Sequence, residues 1–114
     1  MPVGSAVQQV LSSDLSDSEF ARRIGAGDQL AFEVLMRKYN RVLYRTARAI
    51  LRDDAEAEDA LQLAYLNAYR SIGGFRSESK LSTWLTRIVV NEALMRARKR
   101  GTESAVIPLE SVTD

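Results

Sequence analysis

Apolar side chains recur every three or four residues across one long stretch: Leu30/Ala31, Val34/Leu35, Tyr39, Val42/Leu43, Thr46 and Ile50. That period matches one face of an α-helix and rules out a strand, whose faces alternate every second residue. A helix this long carries an apolar stripe that it cannot bury alone, so other helices must cover it. The flanking sequence supplies them. Ser16-Asp17-Ser18-Glu19 matches a capping box, with Ser16 accepting from a backbone N–H and Glu19 reaching back. It predicts a short helix ending near Ile24, before Gly25 and Gly27. Asp28 is placed to cap the long helix, and Arg52-Asp53-Asp54 forms a short connection. A third helix is predicted from about Asp54 to Ile72, with acids in its first turns, where they suit the helix dipole. Leu61, Tyr65, Ala68 and Ile72 make its stripe, and Gly73-Gly74 ends it. Phe75 to Ser79 reads as a loop. A fourth helix starts near Lys80–Ser82 and runs to about Arg100, where Gly101 closes it. The expected fold is all-α: a small helical bundle of one short helix and three longer ones. The second and third form an antiparallel helical hairpin, with the fourth packed across it. Residues 1–13 read as a flexible N-terminal tail, 14–100 as the folded domain and 101–114 as a linker.

Composition narrows the chemistry. The 114 residues suffice for one domain with its own core. There is no Cys and no His, which removes thiolate chemistry, the usual general base and the commonest zinc ligand. No apolar run approaches the roughly 20 residues that span a bilayer. The expectation is a protein that is not an enzyme, with no metal and no cofactor. A carboxylate–Mg²⁺ site built from Asp53 to Asp59 is the enzymatic alternative, although no second acidic cluster completes it.

The net charge of +1 hides strong segregation. Five of the seven residues from Asp53 to Asp59 are acidic, whereas Arg37 to Arg52 holds six basic residues and no acid. From Arg70 to Arg100 eight basic residues face only Glu78 and Glu92. Separated blocks of opposite sign suggest two kinds of partner surface. Arg41, Arg45, Arg48 and Arg52 form a ridge on the second helix. A solvated face, or pairing with the Asp53–Asp59 acids across the hairpin, is the simpler reading. Contact with a partner is the other.

Two faces carry functional signals. On the third helix Asp59, Gln62, Leu63 and Leu66 lie together, roughly opposite the apolar stripe at about 100° per residue. An acid, an amide and two leucines facing outward make a contact surface. The alternative is that the leucines touch another helix and Asp59 is merely solvated. On the fourth helix Trp84, Arg87, Ile88, Asn91, Met95 and Arg98 share a side, next to an aromatic, basic loop. Aromatic rings for stacking, guanidinium groups for phosphate and an amide for a base edge fit single-stranded nucleic acid. The alternative makes Trp84, Ile88 and Met95 core and the arginines solvated.

Three motifs together resemble region 2 of bacterial RNA polymerase sigma factors of the extracytoplasmic-function (ECF) group. The first is Gly27-Asp28-Gln29-Leu30-Ala31-Phe32 with Leu35 and Tyr39. The second is Ala57-Glu58-Asp59-Ala60-Leu61-Gln62, continuing through Tyr65-Leu66-Asn67-Ala68-Tyr69. The third is Phe75-Arg76 with Lys80-Leu81-Ser82-Thr83-Trp84-Leu85-Thr86-Arg87-Ile88-Val89-Val90-Asn91. The resemblance implies promoter −10 recognition and melting in transcription initiation. It places core polymerase binding, on the β′ clamp coiled coil, at Asp59, Gln62, Leu63 and Leu66. Leu63 departs from the family pattern, in which Glu is common after the Gln. The resemblance also places the −10 non-template strand on Phe75, Arg76, Ser77, Lys80, Trp84, Arg87 and Asn91. Phe75 and Asn91 would form a flipped-base pocket, and Arg96, Arg98, Lys99 and Arg100 would hold phosphates. It further implies a cytoplasmic monomer without cofactor, an anti-sigma factor as a candidate partner, and a −35-binding domain beyond residues 101–114. A helical protein-interaction module that does not read DNA, such as a polymerase-binding regulator or anti-sigma target, is the alternative function.

Overall fold

The computed structural model describes residues 15–106, with side chains to Gly101. The described residues form four α-helices and a 3₁₀ turn, with no strand: α1 (Asp17–Gly25), α2 (Gln29–Leu51), α3 (Asp54–Ser71), the turn Ile72–Gly74, and α4 (Leu81–Val106). The expected tail (residues 1–13) and the end of the expected linker lie outside the described residues.

Local chemistry explains the helix starts. Ser16 Oγ accepts from the Glu19 N–H at 3.1 Å, Asp28 Oδ1 from Ala31 N–H at 3.1 Å, and Asp53 Oδ2 from Glu56 N–H at 2.8 Å. Each satisfies a donor that a helix N-terminus leaves without an intrahelical partner. The capping box at Ser16 is half made, because the Glu19 carboxylate turns to Arg22 and Arg23. Gly27 takes φ 94°, the left-handed region that lets the chain turn from α1 into α2. Arg52 takes φ 58° at the end of α2, and its N–H donates to Arg48 O at 2.7 Å.

The core draws on all four helices. Phe20 and Ile24 of α1, Leu35 and Leu43 of α2, Leu61 and Ala64 of α3, and Leu81, Leu85 and Val89 of α4 are buried together. The expected stripe Leu61, Tyr65, Ala68 and Ile72 is buried as its spacing predicts, with Ile72 in the turn that follows α3. The later half of α2 differs. Val42 is 55% exposed, while Leu43, Ala47 and Leu51 are buried. Four-residue steps move about 40° past each turn. The buried face therefore rotates along this 23-residue helix, leaving Val42 outside.

A second difference lies at the C-terminal end. Gly101 does not close α4, which continues to Val106. The only glycine with positive φ among the described residues is Gly27, so Gly101 holds helical geometry. A glycine inside a helix costs about 1 kcal/mol relative to alanine, which weakens a helix without necessarily ending it. The boundary expected at residue 100 therefore falls within a helix.

Candidate functional site

Among the described residues no helix covers the outward face of α3. Asp59 and Gln62 are exposed, and Leu63 and Leu66 are 43% and 44% exposed. Neither leucine is spent on packing against another helix. The Gln62 amide lies 3.5 Å from Glu58 Oε1, a long contact that leaves it available. This face continues into a groove of about 400 Å³ between α2 and α3. Phe32, Met36, Gln62, Tyr65, Leu66 and Tyr69 are among its lining residues. Phe32 meets the edge of Tyr69 with ring centroids 5.1 Å apart. Tyr65 donates to Asn40 Oδ1 at 2.5 Å. Burial, with the nearby Glu58 charge, pushes the Tyr65 hydroxyl up to about 12. Phe32 and Tyr69 stand in the sequence motifs without a site role, and Met36 in none of them. Their helical spacing reads as core, and only the meeting of two helices makes them a groove wall.

The loop and the start of α4 form the second region. Phe75 and Trp84 pack edge to face with centroids 5.8 Å apart. Both are half-buried and rest against the core. Trp84 is thus partly a packing residue, as is Ile88. Arg76, Ser77 and Lys80 are exposed on the loop, and Arg87 and Asn91 on α4. Met95 is 53% exposed, so it is not core.

Phe75 and Asn91 line different depressions. Asn91 lines a groove of about 290 Å³ on α4 with Thr83, Thr86 and Arg87. Phe75 lines a depression of about 280 Å³ with Ser77 and the α1 residues Ser18, Ala21 and Arg22.

The basic end of α4 divides. Arg96 donates to Glu56 Oε1 at 3.3 Å. Arg100 lies 3.8 Å from Glu56 Oε2 and donates to Leu51 O at 3.2 Å. Arg96 and Arg100, two of the four cations expected to hold phosphate, therefore have partners within the bundle. Arg98 also interacts within the protein, although it is exposed, and Lys99 is exposed. Glu56 was legible in the sequence only as one acid of a helix start; its partner lies 40 residues away.

The ridge on α2 divides too. Arg48 donates to Asp54 Oδ1 at 2.7 Å, and Tyr44 donates to the same oxygen at 3.0 Å. The two donors hold the Asp54 carboxyl below its ordinary range. Arg41 and Arg45 stay exposed. Three of the five acids in the block are engaged: Asp53 caps α3, Asp54 pairs with Arg48 and Glu56 with Arg96, while Glu58 and Asp59 are exposed. Among the described residues no three carboxylates converge on a metal site. No helix among them is long and apolar enough to cross a membrane.

Fold and surfaces define a helical bundle with an acidic–apolar face on one helix and an aromatic, basic, amide-bearing segment on another. Sequence comparison gives this class its family. The sigma-70 region 2 model matches residues 35–103. The chain is 45% identical over 97 residues to the ECF RNA polymerase sigma factor SigM of Mycobacterium tuberculosis, covering 85% of this chain and 49% of that protein. It is 36% identical over 85 residues to the RNA polymerase sigma-H factor of Pseudomonas aeruginosa, covering 75% of this chain and 44% of that protein. Against the ECF RNA polymerase sigma-E factor of Escherichia coli it is 33% identical over 106 residues, covering 89% and 54%. The chain belongs to the sigma-70 region 2 family, in its ECF group. It spans about half the length of these relatives.

Proposed function

We propose that this chain is the part of an ECF sigma factor that docks on core RNA polymerase through α3 and recognises and melts the promoter −10 element through residues 75–100. The observation that carries the reading is the uncovered α3 face. Two leucines more than 40% exposed sit beside Asp59 and Gln62 with no helix over them among the described residues. An acidic and apolar patch suits a basic coiled coil such as the β′ clamp helices. Docking at Leu63 is apolar, where the family commonly places a carboxylate.

On the nucleic-acid side, Phe75 and Trp84 provide a stacking edge. Arg76, Lys80 and Arg87 offer cations for phosphates, and Asn91 offers a paired donor and acceptor for a base edge. Phe75 and Asn91 lie in separate depressions, so the strand crosses both, with neighbouring nucleotides at each. Lys99 and Arg98 add phosphate contact without sequence preference. Unstacking a base costs a few kcal/mol, which the aromatic edge and the amide offset.

The test is binding of fluorescein-labelled single-stranded −10 oligonucleotides. Phe75→Ala and Asn91→Ala each cost about 1–3 kcal/mol of affinity. If both variants bind as the parent does, these residues do not read the strand and the protein-interaction alternative gains.

A further inference from the structure

The segment proposed to read DNA is held from a helix that the sigma-70 region 2 match leaves out. That match begins at residue 35, whereas α1 spans Asp17–Gly25. The first turn of α4 is capped from 64 residues away: the Leu81 N–H donates to Asp17 Oδ2 at 2.9 Å. The next residue, Ser18, shares a 2.8 Å hydrogen bond with Ser77 in the middle of the loop. At the other end of α1, a Cβ placed on Gly25 would lie 3.9 Å from Ile72 Cγ2, so α1 also abuts the 3₁₀ turn that precedes the loop. The wall opposite Phe75 in its depression is α1 itself, through Ser18, Ala21 and Arg22. Phe20 and Ile24, both buried, anchor α1 in the core.

Asp17 thus sits at the N-terminal ends of two helices. It opens α1 and caps α4, and both ends favour a negative charge. Within residues 75–80, the backbone bond from Glu78 N–H to Arg76 O closes only a tight turn. An otherwise loose loop pays an ordering cost when it binds, and holding it in advance reduces that cost.

We propose that α1 is the positioning element of the strand-reading loop and Asp17 its positioning residue. This rests on the proposed nucleic-acid role of the loop. Asp17 acts through the loop: its cap fixes where the Phe75 ring and the N-terminus of α4 lie.

The test uses the 114-residue chain and labelled single-stranded 10-mers that differ at one base, with oligo-dT as the reference. In Asp17→Ala, the ratio of best to worst 10-mer falls about fivefold or more, the factor of a lost cap. Oligo-dT affinity falls less than that of the best 10-mer, since phosphate contacts are sequence-independent and do not pass through the loop. The Leu81 amide exchanges faster, and Asp17→Asn restores both readouts because Asn caps as well as Asp. Ser18→Ala gives a smaller loss of the same kind and serves if Asp17→Ala does not fold. A parent chain with no preference among the 10-mers overturns the base-reading role, and this inference with it. A parent with a clear preference that Asp17→Ala and Ser18→Ala retain overturns this inference alone.

Discussion

Replacing Glu56 by Gln separates two roles that the basic end of α4 cannot fill at once. Glu56 accepts from Arg96 at 3.3 Å and lies 3.8 Å from Arg100. The Arg96 and Glu56 side chains are each 28% exposed, so solvent screens the pair. Such a pair is worth about 0.5–1 kcal/mol, and a first-turn acid contributes about 0.3–1 kcal/mol more through the helix dipole. The expected stability loss is about 1 kcal/mol, read as a lower urea midpoint at unchanged slope. Binding moves the other way. Each arginine released to a phosphate steepens the dependence of log K on log salt by about 0.7 for a single strand. Glu56→Gln therefore steepens that slope by roughly 0.7–1.4 and tightens binding at low salt. Anisotropy with labelled oligo-dT across a KCl series measures it. Glu58→Gln, an exposed site on the same helix, controls for the lost charge. A slope equal to that of the control would refute the reasoning, because the arginines would then not reach the strand.

Two further outcomes follow from the packing. Leu81 is fully buried where α4 meets the core, so Leu81→Ala costs about 2–5 kcal/mol in urea unfolding. A loss below about 1 kcal/mol would show that the site is not close-packed. Tyr65 is raised to about 12 when folded, against an ordinary value of 10.0. Its contribution is fully present below pH 10 and fades as pH rises toward 12, because the unfolded chain loses that proton first. The parent loses about 2–3 kcal/mol across that window beyond any loss in Tyr65→Phe, and parallel pH profiles would refute the assignment.

Much of the bundle was legible because its signals are local. The caps at Ser16 and Asp28 act on N–H groups three residues on, and the α3 stripe follows the period of a single helix. Pairing between the α2 ridge and the acidic block also follows from the hairpin, and Arg48 with Asp54 is its instance. The rest was set at a distance. Val42 looks like a core position until α2 is seen to rotate its buried face. Gly101 looks like a stop until α4 carries through it. Asp17 and Glu56 each look like an ordinary first-turn acid, yet one caps α4 and the other holds Arg96 and Arg100. No periodicity in the chain encodes those pairings. The α3 face was legible as a surface, but its continuation into the groove with Phe32 and Met36 needed both helices in place.

The central claim is that α3 docks on polymerase. Titration calorimetry of this chain against the isolated β′ clamp coiled coil tests it most directly, with the Asp59→Ala/Gln62→Ala double variant alongside. The account predicts saturable binding by the parent chain and a loss of about tenfold or more in the double variant, with unchanged helical circular dichroism. A folded parent that does not bind the coiled coil, or a double variant that binds it equally well, would contradict the account.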